Sequence, residues 1–292
     1  MIKETEKNKI SQSTLYLVAT PIGNLADMSE RAIKTLSEVD FIAAEDTRNS
    51  LRLLNYFGIS KPLVSYYEHN KRERGEEIIA RLISGESCAL ITDAGTPAIS
   101  DPGEDLVRLC AENGVTVTAI PGACAMVNAL ALSALPTARF VFEGFLPVQK
   151  KQRRERLKEL SAERRTFILH EAPHKLKTTL ADLSENLGGE RKISLCRELT
   201  KLNEEVIRTT LSGACSLYEE REPRGEYVLV VEGKSDTDAE SGSDVGEVST
   251  DILRAEVDKL ISGGMSKNAA IKSVATAHGM TRNVLYELLL EK

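Results

Sequence analysis

The sequence predicts an α/β protein of two domains followed by a small all-helical unit, and three observations carry this reading. Apolar β-type runs alternate with amphipathic helical stretches from residue 15 to about residue 120. The alternation restarts near Phe140, and no strand signal follows residue 250. In the first stretch, strand–helix alternation at this spacing implies a mostly parallel sheet with helices on both faces, and the second stretch reads as a second α/β domain. A chain of 292 residues is also too long for one small core.

Taken in order, LYLVA (15–19) reads as a strand, followed by a helix capped at Ser29 with Ala32, Ile33, Leu36 and Val39 on one face. FIAAE (41–45), LVSYY (63–67), CALITD (88–93) and VTVTAI (115–120) are further strands, with helices near 50–57, 72–84 and 103–113. The second set is FVFEGF (140–145), TFILHEA (166–172), KISLCREL (192–199) and EYVLVVEG (226–233), with helices at 149–162 and 174–187. The resulting division is a disordered tail 1–13, α/β domains 14–137 and 138–234, an acidic flexible linker 235–250 and a helical unit 251–292. In that last unit two helices flank AHGMTR. Ile271, Ala275, Gly279 and Leu285 fall at the offsets where a helix-turn-helix needs small, turn and buried aliphatic residues. A plain αα-hairpin is the alternative; the helix-turn-helix reading makes Arg282 a nucleic-acid contact.

Composition bounds the function. Hydrophobic residues make up 41% and charged residues 28%, ordinary for a soluble globular chain. Aromatics at 4% without Trp argue against large stacking platforms for bases. Five scattered cysteines, never spaced CxxC, point to a reducing compartment rather than disulfides or zinc. The charged N-terminus lacks an apolar signal core, and the apolar stretch Ala123–Leu135 is too short to span a bilayer, so a cytoplasmic location is expected. The net charge of −6 hides a segregation: residues 148–165 carry a local +5 and residues 235–247 a local −5.

HEAPH (170–174) matches the HExxH metal pattern, yet Pro173 and the preceding apolar strand oppose a continuous helix there. It reads as a strand end followed by a helix starting at Pro173, and no metal site is assigned. GxGxxG and Walker patterns do not occur. Instead, Gly/Pro-bearing loops follow four strands: ATPIGN (19–24), AEDTR (44–48), TDAGTPAISDPG (92–103) and IPGACA (120–125). Open α/β sheets bind ligands beyond the carboxyl ends of their strands, so four such loops mark a site. Asp46, Arg48, Asp93, Thr96 and Asp101 cluster there, although each except Arg48 also suits a cap or turn. On QKKQRRERLKEL (149–160), Lys151, Arg154 and Lys158 share one side. They suit phosphate contact if the substrate is a nucleic acid and a solvated face otherwise.

LYLVATPIGN, AAEDTR, TDAGTPAISDPG, IPGACA, FEGFLP, HEAPHK, CRELTK and GEYVLVVEG occur in that order between 15 and 233. This set resembles the ribosomal RNA small-subunit methyltransferase I family of the tetrapyrrole-methylase superfamily. The resemblance implies a two-domain class III methyltransferase fold binding S-adenosyl-L-methionine between its domains. It implies a homodimer that 2′-O-methylates a decoding-region cytidine of 16S rRNA in the 30S subunit. It further implies that the loop Asp93, Ala94, Gly95, Thr96, Pro97 lies against the cofactor. Pro21, Ile99, Pro121, Gly122, Ala123, Leu169, His170 and the Gly225–Glu226–Tyr227 segment would complete the cleft. The base is not singled out. Asp46 could accept the ribose proton or hold Arg48; we place the pair at the reacting hydroxyl and give Asp93 to the cofactor. The competing readings are a relative methylating a corrinoid, precorrin or diphthamide, and a non-catalytic nucleic-acid-binding regulator.

Overall fold

Five short, almost wholly apolar runs build the first sheet, and their register explains why they are apolar on both faces. The computed structural model describes residues 9–235 and 250–277, together with Leu285 and Leu289. The strands β1 (Thr14–Val18), β2 (Phe41–Ala44), β3 (Leu63–Ser65), β4 (Cys88–Ile91) and β5 (Thr116–Ile120) lie in the order β3-β2-β4-β1-β5, all parallel. Alternate residues face opposite layers. Tyr16, Val18, Ile42, Ala44 and Ile91 meet Leu36 of helix α1 (Glu30–Glu38) and Leu54 of α2 (Thr47–Tyr56). Leu15, Phe41, Ala43, Cys88 and Leu90 meet Ile78 and Leu82 of α3 (Lys71–Ile83) and Leu106 of α4 (Gly103–Glu112). A strand buried on both faces reads as a continuous apolar run, as FIAA and CALI do. Ser29 caps α1 by accepting from Ala32 N. Ile10 packs on this layer and Ser11 N donates to Tyr16 Oη (2.8 Å). The last residues of the stretch expected as a disordered tail therefore lie against the fold, while residues 1–8 fall outside the described ones.

Helix α5 (Ala125–Leu132) leads into the second sheet, formed by β6 (Phe140–Gly144), β7 (Thr166–Glu171), β8 (Lys192–Arg197), β9 (Glu205–Thr210) and β10 (Tyr227–Val231) in the order β6-β7-β10-β8-β9. Only β6–β7 is parallel; the other three pairings are antiparallel. This sheet is thus mixed, where the first is wholly parallel. The edge strand EVIRTT and the helix α8 (Leu211–Glu220) that follows had no place in the sequence reading, because a half-exposed, polar edge strand gives little periodic signal. One face packs on α6 (Lys150–Ala162), α7 (Pro173–Leu187) and α8; the other, through Ile168, Cys196, Val228 and Val230, packs on Ala129 and Leu130 of α5. HEAPH divides as expected: β7 ends at Glu171 and α7 begins at Pro173, which occupies the position where a missing N–H costs nothing.

Both sheets belong to one compact unit ending at Lys234, and residues from Ser235 form a second. In the second unit, helices Thr250–Ser262 and Lys267–Ala277 bury Leu253, Val257, Ile271, Val274, Ala275 and Leu285 together. The expected Ile271, Ala275 and Leu285 core is therefore present, whereas Gly279 and Arg282 lie outside the described residues. Among the described residues no helix is long and apolar enough to cross a membrane.

Candidate active site

The loops after β1 and β4 are stitched together at the carboxyl edge of the first sheet. Thr20 N donates to Gly95 O (2.9 Å) and Gly95 N returns the bond to Thr20 O (3.0 Å). The turn needs Gly95 at φ +87°, where a side chain is strained. Thr20 Oγ1 donates to Thr92 O (3.0 Å), and Thr96 Oγ1 to Ala123 O (3.1 Å), which ties in the loop after β5. Pro121 and Gly122 stand exposed on that loop, and a Cβ on Gly122 would come within 2.7 Å of Ala19 Cβ. Asp101 Oδ1 accepts from Ala98 N (3.0 Å) and Gly103 N (2.7 Å). Ala98 and Ser100 hold positive φ (67° and 63°) within that closure, so Asp101 holds a strained turn in place.

Two adjoining cavities share these loops. A cleft of about 450 Å³ takes Ile22, Ala94 and Ala125 from the first half and Phe145, His170, Glu171, Cys196, Leu199, Glu226 and Val228 from the second. A smaller cavity of about 220 Å³ is lined by Pro21, Gly23, Asn49, Thr92 and Asp93. Consecutive residues thus serve different cavities: Pro21 and Gly23 against Ile22, Asp93 against Ala94.

In the cleft, His170 Nε2 is buried with no hydrogen-bond partner. Burial holds its pKa below the ordinary value, so the ring is neutral at pH 7. Phe142 and Phe145 meet it edge-on, with centroids 5.1 and 5.7 Å away. Glu171 is buried and accepts from Ala172 N (2.9 Å) and from the Thr179 hydroxyl. Glu226 takes a 2.8 Å hydrogen bond from Lys201 Nζ.

Asp46 and Arg48 do pair, through Arg48 Nη2 to Asp46 Oδ2 (2.8 Å) and Nε to Oδ1 (3.2 Å). Asp46 is also the N-cap of α2, accepting from Arg48 N (2.8 Å). Side-chain and backbone hydrogen bonds from Arg48 lower the Asp46 pKa to about 2. Such a carboxylate is a weak proton acceptor at neutral pH. The Arg48 side chain is 86% exposed, so Asp46 serves better as its holder. Asn49 Nδ2 donates to Asp93 Oδ2 (3.3 Å) in the small cavity.

The structure redistributes the remaining expected residues. The Leu169 side chain is 1% exposed and sits in the core against α6 and α7 rather than lining the cleft, because its neighbours Ile168 and His170 occupy the opposite face of β7. Pro21 and Asp93 line the smaller cavity, not the cleft. Pro97 is buried, and Ile99 is exposed without lining either cavity. Lys151, Arg154 and Lys158 are all exposed on α6. The cleft residues Ile22, Phe145, Cys196, Leu199 and Val228 and the cation Lys201 were not singled out. Period-two alternation from His170 across β10 to Cys196 would have found two of them.

The chain matches the family model described as Tetrapyrrole (Corrin/Porphyrin) Methylases over residues 14–215. It belongs to that family. Within it, the chain is 47% identical to ribosomal RNA small subunit methyltransferase I of Synechocystis sp., over 95% of this chain and 97% of the relative. It is 46% identical to the protein of the same name from Halalkalibacterium halodurans, over 98% of each. Among solved structures it resembles Thermus thermophilus uroporphyrin-III C-methyltransferase complexed with S-adenyl homocysteine, with TM-score 0.52, 16% identity and coverage of 75% of this chain and 97% of that one. At that identity the likeness speaks for the fold of this methylase alone.

Proposed function

We propose that this methylase uses S-adenosyl-L-methionine to methylate the 2′-hydroxyl of a decoding-region cytidine in small-subunit ribosomal RNA, as a cytoplasmic homodimer. The observation that carries the reading is the nearly full-length match to relatives named ribosomal RNA small subunit methyltransferase I. The cleft fits the cofactor. Its volume of about 450 Å³ lies in the usual range for small-molecule sites, and its lining joins apolar Ile22, Phe145, Leu199 and Val228 to a buried, unpartnered His170 Nε2.

When bound, the cofactor supplies an electrophilic methyl group carried on a positively charged sulfur. His170, neutral, offers a hydrogen-bonding nitrogen without repelling that charge, and Glu226 places a carboxylate at the cleft wall. Val228, buried at the cleft wall, helps exclude water. The Thr20–Gly95 stitch fixes the loop between the two cavities; holding methyl donor and hydroxyl in line as a whole is worth up to ~7–11 kcal/mol. We assign the smaller cavity to the target ribose. Asn49 and Asp93 orient it, and Arg48, aimed by Asp46, favours ionisation of a hydroxyl that is otherwise a weak nucleophile. Pairing of two copies is supported by exposed Val127 and Leu132 on α5 and Phe140 on the edge strand β6.

Titration calorimetry with S-adenosyl-L-methionine, followed by methyl transfer to 30S particles and mapping of the modified ribose, tests the reading. Cofactor binding with a single 2′-O-methyl mark in the decoding region is expected. Transfer to a tetrapyrrole and none to RNA would overturn it.

A further inference from the structure

A second, larger depression lies beside the cleft. The groove between α6 and α7 encloses about 780 Å³. Neighbouring residues line the two: Ala172 and Pro173 line the cleft and His174 and Lys175 the groove, while Phe145 lines the cleft and Leu146 and Val148 the groove. Its floor is built. Arg153 Nε donates to Asp182 Oδ2 (2.6 Å) and Arg153 Nη2 to Thr179 Oγ1 (2.9 Å). The Thr179 hydroxyl in turn donates to Glu171 in the cleft. Arg153 and Asp182 neutralise each other and pin α6 to α7.

The walls carry uncompensated charge. Lys150, Arg154 and Lys175 are exposed, and none has a carboxylate partner among the described residues. Elsewhere on these helices Arg156 pairs with Glu159 (2.6 Å) and Lys177 with Glu222 (2.7 Å), while Lys151 and Lys158 also lack a carboxylate partner among the described residues but stand outside the groove. The lining holds one acid outside the floor pair, Glu185. At the junction with the cleft, Phe145 is 60% and Val148 77% exposed. An exposed ring beside a basic groove is what a single strand needs, a base-stacking surface next to a backbone track.

We infer that the α6–α7 groove is the track for the phosphodiester backbone of the RNA strand flanking the target nucleotide, contacted by Lys150, Arg154 and Lys175. This rests on the RNA substrate proposed above. It also divides the basic helix: Arg154 lines the groove, whereas Lys151 and Lys158 do not. A groove with three unpaired cations and one acid outside its floor pair, set next to the cleft, suits a polyanion passing the site better than a single bound phosphate.

The experiment is fluorescence anisotropy of the full chain with a labelled single-stranded RNA of decoding-region sequence, across a salt series. Changing Lys150→Gln, Arg154→Gln and Lys175→Gln together should weaken binding and lower the log–log salt slope by about 2, since each single-strand phosphate contact contributes roughly 0.7. The pair Lys151→Gln and Lys158→Gln should lower it by less than about 0.5, being outside the track. An unchanged slope in the triple variant, or an equal loss in the control pair, overturns the track. Should the triple variant fold poorly, Lys175→Gln alone is read instead, with an expected loss of about 0.7 and no loss overturning the track. Cofactor calorimetry and 30S methylation by the wild type run in parallel. A wild type that fails to methylate, while the triple variant still loses its slope, sinks the proposed activity and keeps the groove.

Discussion

The aliphatic stem of Lys201 lies across the backbone of Gly23, so closely that a Cβ on the glycine would stand 2.3 Å from Lys201 Cγ and 3.0 Å from Cε. Gly23 belongs to the loop after β1, and Lys201 to the turn between β8 and β9. A side chain missing from one half of the methylase therefore admits a cation from the other. Lys201 Nζ reaches both Glu198 Oε1 and Glu226 Oε2 at 2.8 Å, in a turn where Glu198 and Thr200 hold positive φ of 52° and 66°. Strain of that kind persists where surrounding contacts over-determine the backbone.

Gly23→Ala should displace Lys201 and destabilise the chain by about 1–3 kcal/mol, through overpacking together with a φ of +153° that side chains rarely adopt. In a Lys201→Ala background the same change should cost at least about 0.5 kcal/mol less, because the clash is gone. Thermal unfolding of the four proteins measures the coupling. Strictly additive losses would mean that the two residues do not constrain each other.

Under the proposed function, His170 should make cofactor affinity fall with acid. Burial keeps its folded pKa below the ordinary 6.5, so the unfolded chain takes up the proton first. The stability it contributes is complete above 6.5 and is lost as pH falls below that value toward the folded pKa. In the cleft, an imidazolium would repel the sulfonium. Calorimetric Kd for S-adenosyl-L-methionine should rise as pH falls below 6.5 and through the depressed folded pKa. His170→Gln should flatten the profile. A variant that keeps the wild-type pH dependence would assign it to another group.

Asp46→Asn tests whether this residue is a holder or a base. Losing the carboxylate that aims Arg48 should slow single-turnover transfer by about 10-fold, short of the 10²-fold or more expected of a general base. Asn keeps the cap, so the melting temperature should barely move. Because the folded pKa is about 2 against 3.8 when free, the stabilising contact is complete above 3.8 and fades only as pH falls through about 2. A rate loss beyond 10²-fold with a pH profile shifted at neutrality would restore Asp46 as the base.

Removal of everything after Lys234 should leave cofactor affinity within about twofold, because the cleft lies inside a unit that closes at that residue. Binding to 30S particles should weaken if the second unit contacts RNA. Loss of cofactor binding in a folded truncation would place part of the site beyond Lys234.

The sequence made the parallel sheet legible because FIAA and CALI bury both faces and need no partner to reveal themselves. The loops at its carboxyl edge were legible because glycine and proline announce their geometry. What stayed hidden depended on long-range pairing. The half-exposed EVIRTT edge is recognisable only once β8 lies beside it. The side of β7 that faces the cleft is fixed by its pairing with β10, which is why the sequence placed both Leu169 and His170 there while only His170 lines it. Lys201 gave no signal at all, since its meaning comes from an absent side chain far away in the chain.

The position of β10 has a consequence for synthesis on the ribosome. It is the last strand of the second sheet to be made, yet it lies between β7 and β8, and it brings Tyr227 and Val228 to the cleft. Until Val231 has left the exit tunnel, β6–β7 and β8–β9 are two separate ribbons with facing raw edges. Pairing of this sequence separation is slow and exposes unpaired strands while it waits. The first half, whose strands β1 to β5 are complete by Ile120, can mature early and hold its loops ready. Nascent chains of this methylase should therefore gain cofactor affinity in one late step, when the final strand threads the gap.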